Sequence, residues 1–129
     1  GEYPVLFNNC TFNENDVTGQ YSQDGSAIYS SSSSFTLNIK NSVFRGNKFS
    51  NINNNANEKA TIFANSNIHL SNVLLESNDC SNTYGDYGPI IHCYDNNNPD
   101  SLIFNNVRII NNNASGIGFR DNGTDKNND

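Results

Sequence analysis

The stretch Val5-Leu6-Phe7-Asn8-Asn9-Cys10-Thr11-Phe12-Asn13-Glu14-Asn15 recurs three more times, as Leu37 to Asn47 (LNIKNSVFRGN), Ile68 to Asn78 (IHLSNVLLESN) and Leu102 to Asn112 (LIFNNVRIINN). Aligned without gaps, the copies read apolar-x-apolar-x-Asn, then Cys, Ser or Val, then x-apolar-x-x-Asn. The internal asparagine is Asn9, Asn41, Asn72 and Asn106, at spacings of 32, 31 and 34 residues. A second one follows six positions later, at Asn15, Asn47, Asn78 and Asn112. Four copies at a near-constant period predict a stacked repeat architecture.

Within each copy the apolar positions are 1, 3, 6 and 8, with Asn at 5. Period two up to the asparagine, then period two in the opposite phase, predicts strand, one-residue bend, strand. Asparagine suits the bend because it tolerates the left-handed backbone region. Stacked, Asn9, Asn41, Asn72 and Asn106 can join their amides in an asparagine ladder. The inward columns are then Val5/Leu37/Ile68/Leu102, Phe7/Ile39/Leu70/Phe104, Cys10/Ser42/Val73/Val107 and Phe12/Phe44/Leu75/Ile109. No 3.6-residue stripe runs through these segments, and Asn, Ser and β-branched residues are poor helix interiors.

A further strand is predicted between copies, at Ser26 to Ser30, Ala60 to Ala64, Pro89 to Cys93 and Gly116 to Phe119. One period of about 32 residues thus holds three short strands and three connections. The fold expected is all-β: a right-handed parallel β-helix, a short solenoid of three to four coils over residues 1–120, with a polar, frayed tail at 121–129. Each coil adds roughly 4.8 Å along the axis.

The alternation of a GSAIY strand (Gly25 to Tyr29) with an NSVFRGN segment (Asn41 to Asn47) resembles the GGAI and FxxN repeats of the chlamydial polymorphic outer-membrane adhesins, over nearly the whole chain. The glycine pair of that pattern is replaced here by Gly25-Ser26, Lys59-Ala60 and Gly88-Pro89. More loosely, the chain is similar to the Asn-rich β-helical repeats in scaffoldins of anaerobic gut fungi, whose cohesin modules receive dockerins. Both resemblances imply a non-catalytic, extracellular binding surface.

The 129 residues suit one domain with a modest core. Asparagine takes 28 positions and serine 15, while hydrophobic residues make up 34%. Averaged over the chain, that balance points to disorder, and the registered apolar columns override it. A net charge of −6 argues against nucleic acid and anionic membranes as partners. No apolar run reaches ~18 residues, so no membrane span is expected. The sequence shows neither an initiator Met nor a signal peptide, which reads as a mature segment or excised module of a secreted or cell-surface protein. Such a segment is expected to leave its end coils poorly capped.

Cys10 reads as a small buried thiol, whereas Cys80 and Cys93 lie in one loop-strand unit and are a candidate pair. Sequons occur at Asn9, Asn113 and Asn122, with Asn9 expected to be hidden in its bend.

The connections Asp16 to Gly25, Lys48 to Lys59 and Asp79 to Gly88 read as long loops leaving one edge, carrying Val17, Tyr21, Phe49, Ile52, Tyr84 and Tyr87. Aromatics on loops over a rigid scaffold mark recognition surfaces, unless they fold back to cover the sheet beneath. The GSAIY-type strand is apolar on both faces, so one face must point outward. With Ile28, Ile62 and Ile91 inward between small residues, Tyr29, Phe63, His92 and Phe119 form an outward ladder beside Thr61, Ile90 and Ile117. Tyr84 and Tyr87 border this stripe, and Asp86 forms its polar rim. The candidate partner-binding residues are therefore Tyr29, Phe63, Ile90, His92, Phe119, Tyr84, Asp86 and Tyr87. The partner expected is another protein, of dockerin type in the scaffoldin reading; stacked aromatics also suit sugar rings, so a carbohydrate-binding or degenerate carbohydrate-active β-helix domain is the alternative.

Catalysis is not expected: no acidic pair stacks in an outward column, and no Ser-His-Asp order is evident. Glu76 beside Arg45 reads as a surface ion pair. Asp95 to Asp100 and Asp121 to Asp125 offer clustered oxygens, yet such stretches are ordinary turns far more often than calcium sites, so neither metal nor cofactor is expected.

Overall fold

The structure is a computed structural model, describing residues 3–18, 25–32, 35–50, 59–81, 89–95, 101–121 and 124–128. Every regular element among them is a strand. The first copy forms β1 (Tyr3–Asn8) and β2 (Thr11–Asn13), followed by β3 (Asp16–Thr18) and β4 (Gly25–Ser30). The second gives β5 (Phe35–Arg45), β6 (Lys48–Ser50) and β7 (Ala60–Ala64). The third gives β8 (Asn67–Glu76) and β9 (Ile91–Asp95), and the fourth gives β10 (Leu102–Ile110), β11 (Ile117–Asp121) and β12 (Thr124–Asn128).

These strands form three sheets. The first runs β1-β5-β8-β10, with β2 also paired to β5, and the second runs β4-β7-β9-β11-β12. The third pairs β3 with β6 and continues through single bridges from Lys48 to Asp79 and from Asp79 to Asn113. All pairings are parallel except β11 with β12. In the parallel pairings each strand therefore meets its counterpart one period away.

The register in the first sheet follows the repeat residue for residue. Val5 faces Leu37, Leu37 faces Ile68, and Ile68 faces Leu102. Phe12, Phe44, Leu75 and Ile109 line up in the same way. Leu37, Ile39, Phe44, Ile68, Leu70, Val73 and Leu75 are buried, and Phe44 stacks on Phe12 with centroids 4.5 Å apart. Each such side chain withdrawn from water contributes about 1.5–3 kcal/mol.

Two left-handed corners per copy let the strand turn without leaving the sheet. The first is the internal asparagine: φ is 57° at Asn9, 49° at Asn41, 54° at Asn72 and 54° at Asn106. The second is the residue before the following asparagine, with φ of 54° at Glu14, 64° at Gly46, 56° at Ser77 and 54° at Asn111. Their amides stay in the ladder, since Glu14, Gly46 and Ser77 donate to the carbonyls of Arg45, Glu76 and Ile110 at 2.9, 3.2 and 3.2 Å.

Both sets of asparagines are laddered, with different surroundings. Asn41, Asn72 and Asn106 donate Nδ2 to the Oδ1 of Asn8, Asn41 and Asn72 at 2.9, 3.1 and 2.8 Å, on the exposed side. The outer ladder thus starts at Asn8 instead of Asn9, and Asn9 is exposed, not hidden in its bend. The second set forms the buried ladder. Asn15, Asn47 and Asn78 donate Nδ2 to the Oδ1 of Asn47, Asn78 and Asn112 at 2.7, 2.8 and 2.9 Å. The backbone amides of the same three residues converge on the same oxygens at 3.2, 3.0 and 2.8 Å.

Three further expectations are revised. Asp16–Thr18 and Lys48–Ser50 are paired strands instead of loop, with Val17 facing Phe49 and Phe49 buried. Part of the expected frayed tail is β12, antiparallel to β11. Cys80 and Cys93 are separate free thiols: Cys80 Sγ lies 3.5 Å from Thr61 Oγ1, and Cys93 Sγ donates to the Ser66 carbonyl at 3.2 Å.

Candidate functional site

The aromatic stripe is built by the parallel register of β4, β7 and β9. Ile28 faces Ile62 and Ile62 faces Ile91, so the next residues Tyr29, Phe63 and His92 line up on the opposite face. The isoleucines join the main apolar cluster, and their flanking Ala64 and Cys93 are small enough to let that face close. Ring centroids are 5.6 Å apart for Tyr29 and Phe63, and 4.7 Å for Phe63 and His92, both pairs tilted. Offset and tilted rings at these separations are the favoured arrangement for aromatic pairs.

The three rings differ in access. Tyr29 is 46% exposed, whereas Phe63 is 3% and His92 7% exposed. Of the outward ladder expected of these three rings, Tyr29 is therefore open to solvent, whereas Phe63 and His92 are buried.

Two members of the expected site fall elsewhere. Ile90 is 1% exposed and belongs to the main apolar cluster, and the amides of Thr61 and Ile62 donate to its carbonyl at 3.0 and 3.2 Å. It is interior, not part of an outward stripe. Phe119 faces Cys93, while Gly118 faces His92 and Ile117 faces Ile91. The fourth copy enters this sheet one residue out of the expected phase, so Ile117 continues the isoleucine column and Phe119 leaves the aromatic one. Tyr84, Asp86 and Tyr87 lie outside the described residues.

Several other polar groups are held by structural partners. Arg45 Nε donates to Glu76 Oε2 at 2.9 Å, the ion pair expected from the repeat, and Lys48 meets Asp16 at 3.5 Å. Ser101 Oγ lies 3.0 Å from His69 Nε2 and donates to Asn67 Oδ1 at 3.0 Å, while the Ser101 amide donates to the same oxygen at 2.6 Å. With its hydroxyl donating to Asn67 Oδ1, Ser101 Oγ can accept from His69 Nε2 in the tautomer that carries the proton there. Burial pushes the Cys80 thiol up from 9.0 to about 11, with a smaller contribution from the Asp79 charge, against hydrogen bonding to Thr61. A thiol so raised is a poor nucleophile at neutral pH.

Among the described residues, no three His, Cys, Asp or Glu side chains cluster as a ligand set. The Asx-rich runs from Asp95 to Asp100 and Asp121 to Asp125 fall outside the side chains described. No described helix is long and apolar enough to cross a membrane.

Sequence reasoning missed the exposed apolar side chains on the first sheet's edge strands. Leu6 on β1 is 58% exposed and Ile103 on β10 is 50% exposed. The signal was available: Leu6 and Ile103 break the apolar-x-apolar phase at a position held by Asn38 and His69 in the middle copies.

Fold and site together define an all-β chain of mostly parallel sheets, tied by asparagine ladders and carrying an aromatic stripe on one sheet. A scan of protein families finds no match to this chain, and comparison with curated proteins and with solved structures finds none either.

Proposed function

We propose that the three sheets are the sides of a short right-handed parallel β-helix, and that it serves as a non-catalytic protein-binding module of a secreted or cell-surface protein. The parallel, one-period register supports the solenoid, and right-handed crossovers are the strong default between parallel strands of one sheet. The observation that carries the binding role is the aromatic stripe: an open Tyr29 ring backed by the packed Phe63 and His92 rings on a sheet face. Aromatic anchors on a rigid, pre-organised surface concentrate binding energy. A receptor for a dockerin-type module, or an adhesin-like contact, is the form this role takes in the repeat families the chain resembles.

Capture from the secretome of the source organism, with mass spectrometry of the retained proteins, tests this reading. A single retained partner is expected, and Tyr29→Ala should weaken its binding by roughly 1 to 3 kcal/mol without changing the unfolding midpoint. Equal affinity for both chains would reject the Tyr29 face. Binding to a glycan array instead of a protein would move the stripe to the carbohydrate-binding alternative, for which stacked aromatic rings are also suited.

A further inference from the structure

The outer ladder passes Asn9 by. Asn41 donates its Nδ2 to Asn8, not to Asn9, so Asn9 alone among the four internal asparagines keeps its carboxamide out of the ladder. Asn9 is exposed at a left-handed corner with φ 57°, and its backbone is anchored by donation to the Lys40 carbonyl at 3.2 Å. Among the described residues no hydrogen bond engages its side chain.

The same asparagine is also the only one of the four with a hydroxyl residue two positions on. The triplets are Asn9-Cys10-Thr11, Asn41-Ser42-Val43, Asn72-Val73-Leu74 and Asn106-Val107-Arg108. Thr11 opens β2 and is exposed. The copy whose carboxamide is released from the ladder is thus the copy that carries an Asn-x-Thr sequon. Asn113, in a second sequon, donates its Nδ2 to Asp79 Oδ1 at 3.1 Å, and Asn122 lies outside the described residues.

We propose that Asn9 is an N-glycan acceptor. The donor is an oligosaccharide carried on a lipid diphosphate. The Asn9 Nδ2 forms a bond to the anomeric carbon as the bond from that carbon to the diphosphate oxygen breaks. The diphosphate leaves with the electron pair, and one Nδ2 proton is released. In the other three copies the modified nitrogen would lie within the ladder, where a sugar collides with the rung before it; at Asn9 the sugar projects from a corner into solvent. It stands at the end of β1, an edge strand of its sheet with Val5 and Leu6 exposed. A bulky hydrophilic group there hinders another strand from lying along that edge.

The proposal concerns the acceptor only. The test supplies the secretory route itself, so its failure and failure of the partner-binding reading are distinguishable. The full chain is secreted from yeast and its peptides are mapped after enzymatic deglycosylation in heavy-oxygen water, which marks each formerly glycosylated Asn as a labelled Asp. Labelling of Asn9 in the majority of chains is expected. Thr11→Ala removes the sequon without touching the left-handed corner, and should lose the mass of one N-glycan and the label at position 9. Thr11→Ser should retain both. An unlabelled Asn9 in the secreted wild-type chain, or a label that persists in Thr11→Ala, overturns the proposal.

Discussion

Asn78 shows how much one side chain carries in this molecule. Its Oδ1 accepts from the Asn47 amide and the Asn47 Nδ2 at 3.0 and 2.8 Å. Its own Nδ2 donates to the Phe44 carbonyl and to Asn112 Oδ1 at 3.0 and 2.9 Å. Truncation leaves buried donors and acceptors unpaired on both neighbouring copies, each costing about 1–3 kcal/mol. Asn78→Ala should therefore destabilise the fold by at least about 3 kcal/mol in urea unfolding. Asn72 makes comparable amide contacts in the exposed ladder, where water replaces what is lost, so Asn72→Ala should cost about 1 kcal/mol, mainly from its left-handed corner. Equal costs at the two positions would refute the distinction between buried and exposed ladders. Cys80 adds a pH signature. Its thiol ionises at about 11 in the folded chain against 9.0 ordinarily, so the unfolded chain gives up this proton first. The stabilisation is complete below the lower value and is lost as pH rises through the window between them. Relative to wild type, Cys80→Ala should show a shallower fall in unfolding free energy across that alkaline window, measured by urea titration at a series of pH values. Parallel curves for the two chains would show that the thiol does not titrate differently on folding.

At the scale of elements, the first sheet was legible and the third was not, for a definite reason. Copies of β1–β2, β5, β8 and β10 repeat apolar positions around a fixed asparagine, four in each except β5, where Ser42 takes one of them, and apolar columns set parallel register. The strands β3 and β6 have three residues each and one inward side chain each, Val17 and Phe49, amid polar sequence. No periodicity can be read from one apolar residue. Only their constant position after the second asparagine marks them, through Lys48, Asp79 and Asn113, whose amides donate to the carbonyls of Asn15, Asn47 and Asn78 at 2.9, 2.8 and 2.8 Å. The buried ladder was half legible. Its asparagines are as regular as the outer set, but which set faces inward depends on a second left-handed corner. The sequence disguises that corner as Glu14, Gly46, Ser77 and Asn111. In the second sheet, register failed at the last copy, because Gly116 to Phe119 can set Phe119 in the aromatic column with Gly118 among the isoleucines, or Ile117 among the isoleucines with Gly118 in the aromatic column; the second is observed, hence the misplacement of Phe119. If β6 is a packed strand and not a loop, Phe49→Ala should cost about 3–5 kcal/mol, as for other buried phenylalanines. A loss below about 1 kcal/mol in the same urea assay would return the segment to the status of a surface loop.

At the scale of the whole molecule, the two larger sheets end differently. The second sheet ends on β12, which runs antiparallel to β11 and takes the place where another parallel strand would pair. Among the described residues the first sheet has no such cover: its edge strands β1 and β10 carry the exposed Leu6 and Ile103, with Val5 and Phe104 also open. The two middle strands of that sheet put Asn38 and His69 at the position of Leu6 and Ile103, so apolar character at that column is confined to the edges. An edge with free backbone groups and apolar side chains is a template for pairing with another chain, and an inward or flanking lysine is the usual protection. The bacterially produced, unglycosylated chain should therefore self-associate as its concentration is raised, visible as a rising weight-average sedimentation coefficient. The double variant Leu6→Lys with Ile103→Lys should remain monomeric over the same range. Both positions face solvent, so its unfolding free energy should lie within about 0.5 kcal/mol of wild type. A wild-type chain that stays monomeric throughout, or a double variant that associates as strongly as wild type, would show that these edges are not what holds copies together. Association abolished by Tyr29→Ala instead would place the contact on the aromatic stripe.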